Sequence, residues 1–172
     1  MHDVVFRDAT AGDSDAIAAL YNVHVLGTPV TFELEAVDAT EMARRIADVQ
    51  ARGLPWLVAR AGNGALLGYA YAGPWKARAG YAGTVESSIY LNGTACGQGL
   101  GTRLYGALID ALQACGVRCV IAGAVLPNPA SEALHQRLGF QPVGVFRAVG
   151  VKFGRALDVA YWQLHLDRPP AL

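Results

Sequence analysis

A glycine-rich turn between a strand-like segment and a helix-like segment constrains the fold of this chain more than any other feature. Residues 84–91 predict a strand, and the run Gly97-Gln98-Gly99-Leu100-Gly101-Thr102 follows them. From Leu100 onwards leucines recur every four residues, which predicts an amphipathic helix over residues 100–112. Residues 117–124 are rich in β-branched side chains and predict a buried strand. Strand, turn, helix and strand in this order predict a βαβ unit.

Further helices and strands are predicted around this unit. Capping signals at residues 10–13 and 38–41 predict the starts of two helices, and Gly62-Asn63-Gly64 predicts a hairpin turn. The early hairpin and the late βαβ unit together predict an α/β (α+β) fold, with one mixed, mainly antiparallel sheet flanked by helices. The length of 172 residues predicts a single domain over 1–172, with a core over about residues 3–166. The remaining predicted elements are strands over 3–8, 56–59, 66–71, 141–149 and 157–166, and a short helix over 130–138.

Charge and composition exclude several classes of protein. The 14 basic and 14 acidic side chains cancel, so no net field attracts the chain to nucleic acid or to an anionic membrane. A hydrophobic fraction of 53% is too high for a disordered chain. The N-terminus carries acids where a signal peptide needs basic and apolar residues, and no apolar run is long enough to span a bilayer. We therefore expect a cytoplasmic protein without nucleic-acid or membrane partners.

The three cysteines give no sign of a metal site. Cys96, Cys115 and Cys119 form no CxxC pair, and no cluster of histidines accompanies them. Free thiols in a reducing compartment explain them, and we expect no bound metal.

The glycine run also has the chemistry of a phosphate site. Glycine lets the backbone approach a ligand closely, and the first turn of the following helix offers free N–H groups and a positive dipole end. A phosphate-binding loop of the Walker type is excluded because no lysine lies near, and a dinucleotide-binding turn lacks its third glycine at Thr102. A plain connecting loop stays open as the alternative at this point.

The run resembles the acetyl-CoA-binding motif of the GNAT N-acetyltransferase superfamily, Gln/Arg-x-x-Gly-x-Gly/Ala at a strand-to-helix junction. Gly99 and Gly101 match its glycines, whereas Cys96 replaces the leading Gln or Arg. Asn128 and the segment 131–140, which ends in Gly-Phe, resemble the second landmark of the superfamily. The resemblance implies a strand that splays from its neighbour at the acetyl-CoA site. It also implies these acetyl-CoA contacts: Ile89, Tyr90 and Leu91 for pantetheine, Gly97, Gln98, Gly99, Leu100, Gly101 and Thr102 for pyrophosphate, and Asn128 and Ser131 for the CoA arm.

Several separate segments are similar to the phosphinothricin N-acetyltransferase branch, which includes methionine sulfone and methionine sulfoximine acetyltransferases. They are residues 71–78, 85–90, 126–129 and 150–154, followed by Asp158-Val159. The resemblance covers the chain from about Val4 to Leu166. It implies acetyl-CoA as cosubstrate, a small amino-acid-like amine as acceptor, direct transfer and a homodimer.

Acetyl transfer needs a neutral amine, and therefore a base. Glu86 is our candidate, because it lies in an otherwise apolar, hydroxyl-rich strand where poor solvation would raise its pKa. A solvent-facing acid is the alternative. His135 stands where many GNAT enzymes have the tyrosine that protonates the leaving thiolate, and a half-buried structural histidine is the equal alternative.

An α-carboxylate on the substrate needs a cation, for which an arginine fork is well suited. We assign this role to Arg78, with Lys76 secondary; solvated loop charges are the alternative. The other predicted substrate-binding residues are Phe32, Trp75, Ser88 and Lys152, and Tyr90 shapes the same pocket. Two rival functions stay open: acetylation of another amine, such as a polyamine, an aminoglycoside or a protein N-terminus, and a non-catalytic acyl-CoA-binding module.

Overall fold

Eleven helices and strands form the described part of the chain, residues 4–166, in a computed structural model. Three single turns of 3₁₀ helix, at Ala11–Asp13, Ala79–Tyr81 and Gly93–Ala95, connect some of them. In chain order the elements are β1 (Val4–Asp8), α1 (Ser14–Gly27), α2 (Ala39–Gln50), β2 (Trp56–Ala61), β3 (Leu66–Pro74), β4 (Thr84–Leu91), α3 (Leu100–Ala114), β5 (Cys119–Val125), α4 (Pro129–Arg137), β6 (Gln141–Lys152) and β7 (Arg155–His165).

One seven-stranded sheet has the order β1-β2-β3-β4-β5-β7-β6. Neighbouring strands are antiparallel except β4 and β5, which are parallel and connected through α3. A parallel pair needs such a crossover, so the predicted βαβ unit and the mixed, mainly antiparallel sheet are both confirmed.

The sheet opens between β4 and β5. Their ladder pairs residues 84–87 with residues 119–122 and goes no further. Beyond it, residues 88–91 pair only with β3, and residues 123–125 pair only with β7. The adjoining edges of the two strands therefore diverge, which agrees with the splay that the resemblance implied.

Each face of the sheet has its own apolar core. Side chains of α1 and α2, including Ile17 and Ile46, cover one face together with Trp56 and Tyr69. On the other face the leucines of α3 pack on the sheet, with Leu104, Leu108 and Leu112 fully buried. The period-four leucine pattern thus marks the buried side of α3.

Several predicted bounds were wrong by a few residues. The strand predicted over 117–124 begins at Cys119, because the N–H of Val117 bonds to the Leu112 carbonyl and closes the end of α3. The helix predicted from the Thr10 signal begins only at Ser14, after a 3₁₀ turn. The two last strands are longer than predicted and form one hairpin around Phe153 and Gly154. The first predicted strand starts at residue 3, which lies outside the described residues.

Candidate active site

A cavity of about 500 Å³ lies where β4 and β5 diverge, and both faces of the sheet contribute to its wall. His24 and Val30 line it from the side of α1, while Tyr105 and Leu134 line it from the side of α3 and α4. Many residues predicted from the sequence meet here. They are Ser88, Ile89, Tyr90, Leu91, Gly97, Gly99, Gly101, Thr102, Asn128, Ser131 and His135.

The glycine turn is built for a ligand at two of its glycines. Gly97 and Gly99 have φ angles of +77° and +73°, which disfavour any side chain, and a Cβ atom at either position would stand in open space. Gly99 directly precedes α3, whose first amides lack partners within the helix. Gly101 has another reason: a Cβ atom there would lie 3.3 Å from the Leu91 side chain. The turn therefore fits a pyrophosphate, with Gly101 serving the packing of α3.

Two predicted contacts in this turn can act only through the backbone. The side chain of Leu100 is buried in the core. The side-chain amide of Gln98 donates to the Thr94 carbonyl at 3.2 Å and so turns back on its own loop. Neither side chain lines the cavity.

Asn128 and Ser131 lie at the start of α4. The side-chain oxygen of Asn128 accepts a hydrogen bond from the Ser131 N–H at 3.1 Å and caps the helix. The hydroxyl of Ser131 lies 3.3 Å from Nδ1 of His135. The capping bond fixes Asn128 at the cavity wall and leaves its amide nitrogen able to donate to a ligand.

Glu86 is half-buried on β4, one residue before Ser87, where the ladder with β5 ends. Burial raises the pKa of its carboxyl above the ordinary value, and the nearby charge of Lys76 opposes that rise. Burial, and to a smaller extent the charge of Glu86, raises the pKa of Tyr161 on β7. The Tyr161 phenol therefore lies within electrostatic range of the Glu86 carboxylate. A carboxylate with a raised pKa is suited to accept a proton near neutral pH.

His135 is buried, with 3% of its surface exposed, and its ring stacks on Trp162 with centroids 4.9 Å apart. Burial lowers its pKa, although a backbone hydrogen bond with Ser131 acts in the opposite direction. The neutral ring is therefore favoured near neutral pH, which disfavours a charged His135 as the acid that would protonate the leaving thiolate.

A buried chain of hydroxyls leads to His135, and the sequence did not indicate it. The hydroxyl of Tyr105 lies 2.6 Å from Oγ of Ser87 and 3.5 Å from Nε2 of His135. Ser87 and Tyr105 are 18 positions apart on a strand and a helix, so only the packing of α3 on β4 reveals the pair.

The predicted cationic residues lie in a second cavity. Lys76 and Arg78 line a space of about 280 Å³ together with Arg52, Tyr81 and Thr84. The ammonium of Lys76 lies 4.5 Å above the Trp75 ring. Along β4, Thr84 and Val85 line this cavity while Ser87 and Ser88 line the larger one, so Glu86 stands between the two.

Phe32 and Lys152 line neither cavity and instead hold the segment after α1 against the last hairpin. The Phe32 ring covers Gly150 so closely that a Cβ atom at this position would clash with the ring. The ammonium of Lys152 is buried and donates to the Thr31 carbonyl at 2.7 Å. Between these contacts the segment that carries Val30 is fixed at the wall of the larger cavity.

Comparison with known proteins agrees with this geometry. The profile of the acetyltransferase (GNAT) domain matches residues 6–161. The chain belongs to the GNAT acetyltransferase family. It is 43% identical to an L-methionine sulfoximine/L-methionine sulfone acetyltransferase of Pseudomonas aeruginosa over 94% of each chain. It is 39% identical to a phosphinothricin N-acetyltransferase of Streptomyces viridochromogenes, over 96% of this chain and 90% of the relative.

A solved structure of the GNAT superfamily supports the fold and the cosubstrate. The acetyl-CoA complex of a phosphinothricin acetyltransferase from Sinorhizobium meliloti has a TM-score of 0.91 and 39% identity, over 95% of this chain and 88% of that one. The GNAT fold and the use of acetyl-CoA as cosubstrate are thereby confirmed, and this GNAT chain is an N-acetyltransferase. Within residues 4–166, no group of three or more His, Cys, Asp or Glu residues could hold a metal ion, and no helix has the length and apolarity to cross a membrane.

Proposed function

We propose that this GNAT enzyme acetylates the α-amine of a small amino-acid-like compound, such as methionine sulfone, methionine sulfoximine or phosphinothricin, by direct transfer. The position of Glu86 carries the proposal, because on β4 it separates Ser87 and Ser88, which line the acetyl-CoA cavity, from Thr84 and Val85, which line the cationic cavity. An α-amino acid has an amine and a carboxylate a few ångströms apart. Its amine would face Glu86 while its carboxylate would face Lys76 and Arg78.

Each part of the site has a defined task in the proposed reaction. The amides around Gly97 and Gly99 hold the pyrophosphate, and the unpaired edge of residues 88–91 holds the pantetheine amides. Glu86 accepts the proton that the amine must lose before it can attack the thioester, and its raised pKa suits that step. His135 is neutral near pH 7, and its two ring nitrogens face the hydroxyls of Ser131 and Tyr105, so a hydrogen bond to the departing sulfur comes through one of these hydroxyls.

The decisive experiment is a substrate panel. We expect thiol release from acetyl-CoA with the three compounds named above, and little release with polyamines, aminoglycosides or peptides that carry a free N-terminus. Preference for one of those amines would contradict the substrate class. Binding of CoA without release on any amine would contradict enzymatic activity and favour an acyl-CoA-binding module.

Glu86→Gln tests the base. We expect kcat to fall by about 10² to 10⁴, with the dissociation constant for CoA unchanged. The defect should shrink as the pH approaches the pKa of the amine, because the substrate then loses its proton without help. Glu35→Gln, at an exposed position in the segment after α1, is the control. An unchanged kcat in Glu86→Gln would remove this residue as the base.

Arg78→Ala tests the carboxylate clamp. It should raise KM for methionine sulfone, yet leave KM unchanged for the same compound without its carboxylate, 3-(methylsulfonyl)propylamine. Arg52→Ala is the matched control, since Arg52 lines the same cavity from the end of α2. An equal change in KM for both compounds would show that Arg78 does not bind the carboxylate.

We also propose that the enzyme is a cytoplasmic homodimer. Strand β6 is an edge of the sheet and exposes apolar side chains, which are suited to an interface with a second copy. They are Val143, Val145, Phe146, Val149 and Val151. Sedimentation should give a dimer for the wild type and a monomer for Val151→Glu; a monomeric wild type at micromolar concentrations would contradict the proposal.

The free thiols of Cys96 and Cys115 support a reducing compartment.

A further inference from the structure

Arg137, at the end of α4, is the only arginine among the described residues that line the acetyl-CoA cavity, and no Lys, Asp or Glu is among them. Burial lowers the pKa of the two histidines of the wall, His24 and His135, which favours their neutral forms near pH 7. Arg137 is exposed, and within residues 4–166 it forms no ion pair. Its guanidinium is therefore available to an anion in the cavity.

Acetyl-CoA carries its negative charge in two places. The pyrophosphate in the middle of the molecule suits the backbone amides of the glycine turn, which need no cationic side chain. The second place is the phosphate on the 3′ oxygen of the adenosine ribose, a monoester with a charge close to −2 at neutral pH. An arginine fork binds phosphate through two parallel hydrogen bonds, so Arg137 has the chemistry that this group requires.

The position of Arg137 along α4 matches the order of groups in acetyl-CoA; this step rests on the function proposed above, which puts the pyrophosphate at the glycine turn. Ser131, assigned to the CoA arm, lies in the first turn of α4. In the middle of the helix the Leu134 methyl groups lie 3.9 Å from where a Cβ atom of Gly101 would be. Arg137 follows on the same face, about 4.5 Å further along the axis. In the ligand the adenosine likewise follows the pyrophosphate, on the side away from the arm.

We propose that Arg137 binds the 3′-phosphate of acetyl-CoA and thereby distinguishes coenzyme A from 3′-dephospho-coenzyme A. An arginine in the last turn of a helix can also offset the negative end of the helix dipole. That role alone would stabilise α4 without any dependence on the 3′-phosphate, so comparison of the two ligands separates it from the proposal.

Calorimetric titration of the whole enzyme with CoA and with 3′-dephospho-CoA tests the proposal without any turnover. The wild type should bind the dephospho form about threefold to tenfold more weakly, the range expected for one solvent-exposed ion pair. Arg137→Met should raise the dissociation constant for CoA by the same factor and leave that for the dephospho form unchanged. Arg137→Lys, which keeps the charge but not the fork, should retain part of the preference.

Arg103→Met is the matched control. Arg103 is an exposed arginine near the start of α3, where its guanidinium lies 5.2 Å from the centre of the Phe6 ring, and it does not line the cavity. Its loss removes the same charge close to the glycine turn, so this variant should keep the wild-type preference for CoA. The preference of the wild type should also shrink as the salt concentration rises, because exposed charges are screened.

Three results would overturn the proposal. They are equal binding of the two ligands by the wild type, an equal rise in both dissociation constants in Arg137→Met, and a lower melting temperature of that variant with unchanged affinity for CoA. Failure of the proposed function would look different: the wild type would prefer CoA through Arg137, yet release no thiol with any amine.

Discussion

Asp13 is the residue whose loss we expect to destabilise the fold most clearly. Its carboxylate is 1% exposed and receives hydrogen bonds from two guanidinium groups, with Arg7 donating twice at 2.8 Å and Arg60 donating at 3.0 and 2.6 Å. The N–H and hydroxyl of Thr10 add bonds at 2.8 and 3.0 Å. One side chain thus connects β1, β2 and the turn that leads into α1.

The size of the effect follows from what Asp13→Ala leaves behind. Removing one partner of a buried ion pair costs about 3 to 5 kcal/mol when the other charge stays buried. Here the side chains of Arg7 and Arg60 are 42% and 22% exposed and can be hydrated, so we take the lower end, about 3 kcal/mol. For a chain of this size that loss lowers the melting temperature by about 6 to 12 °C.

Thermal unfolding followed by circular dichroism at pH 7 measures this loss. Asp48→Ala is the matched control, because Asp48 pairs with Arg44 at the exposed surface and its loss should cost less than about 1 kcal/mol. The hydrogen bonds from Arg7 hold the folded-state pKa of Asp13 below 3.8, so its stabilisation is present above that value and is lost as the pH falls through the folded-state pKa. The difference between the wild type and Asp13→Ala should therefore narrow in acid. A melting temperature within 2 °C of the Asp48→Ala variant would refute the reasoning.

Three further predictions concern the site. Lys76→Met should move the acidic limb of the pH profile of kcat/KM to higher pH, because the charge of Lys76 opposes the rise in the pKa of Glu86. An unmoved limb would show that Lys76 does not affect the group that titrates there. Gly99→Ala should weaken CoA binding about tenfold in a titration, since φ of +73° costs about 1 to 2 kcal/mol with a Cβ atom, whereas Gly93→Ala should bind normally. Lys152→Met should raise KM for acetyl-CoA, because the segment after α1 loses its anchor and Val30 of that segment lines the acetyl-CoA cavity; an unchanged KM for acetyl-CoA would show that the anchor is dispensable.

Local patterns were sufficient to predict the unit that positions the glycine turn. The leucine period of α3 and the glycines before it depend on backbone preferences and on one buried face, both of which are visible within 20 residues of sequence. The strand of Glu86 was predicted with its true bounds, residues 84–91, and Glu86 is half-buried there as expected.

Long-range packing determined what the sequence could not show. His24 lies on α1 and lines the larger cavity, a position that becomes cavity wall only through the opening of the sheet. The Ser87–Tyr105 pair depends on how α3 lies across β4. Arg78 was assigned correctly to a loop, but its cavity exists only because the end of α2 brings Arg52 beside that loop.

The alternation of β4 explains how one strand can serve both halves of the reaction. Successive side chains of a strand point to opposite faces, so Glu86 and Tyr90 share the face covered by α1 while Ser87 points to α3 and bonds to Tyr105. The proposed base Glu86 therefore lies on one side of the sheet, and the hydroxyl chain to His135 lies on the other. A shift of one residue in the register with β3 would exchange the two sets. The pairing of β3 and β4 thus puts the proposed proton acceptor and the hydroxyl chain on opposite faces of the sheet, and the two faces meet where β4 and β5 diverge.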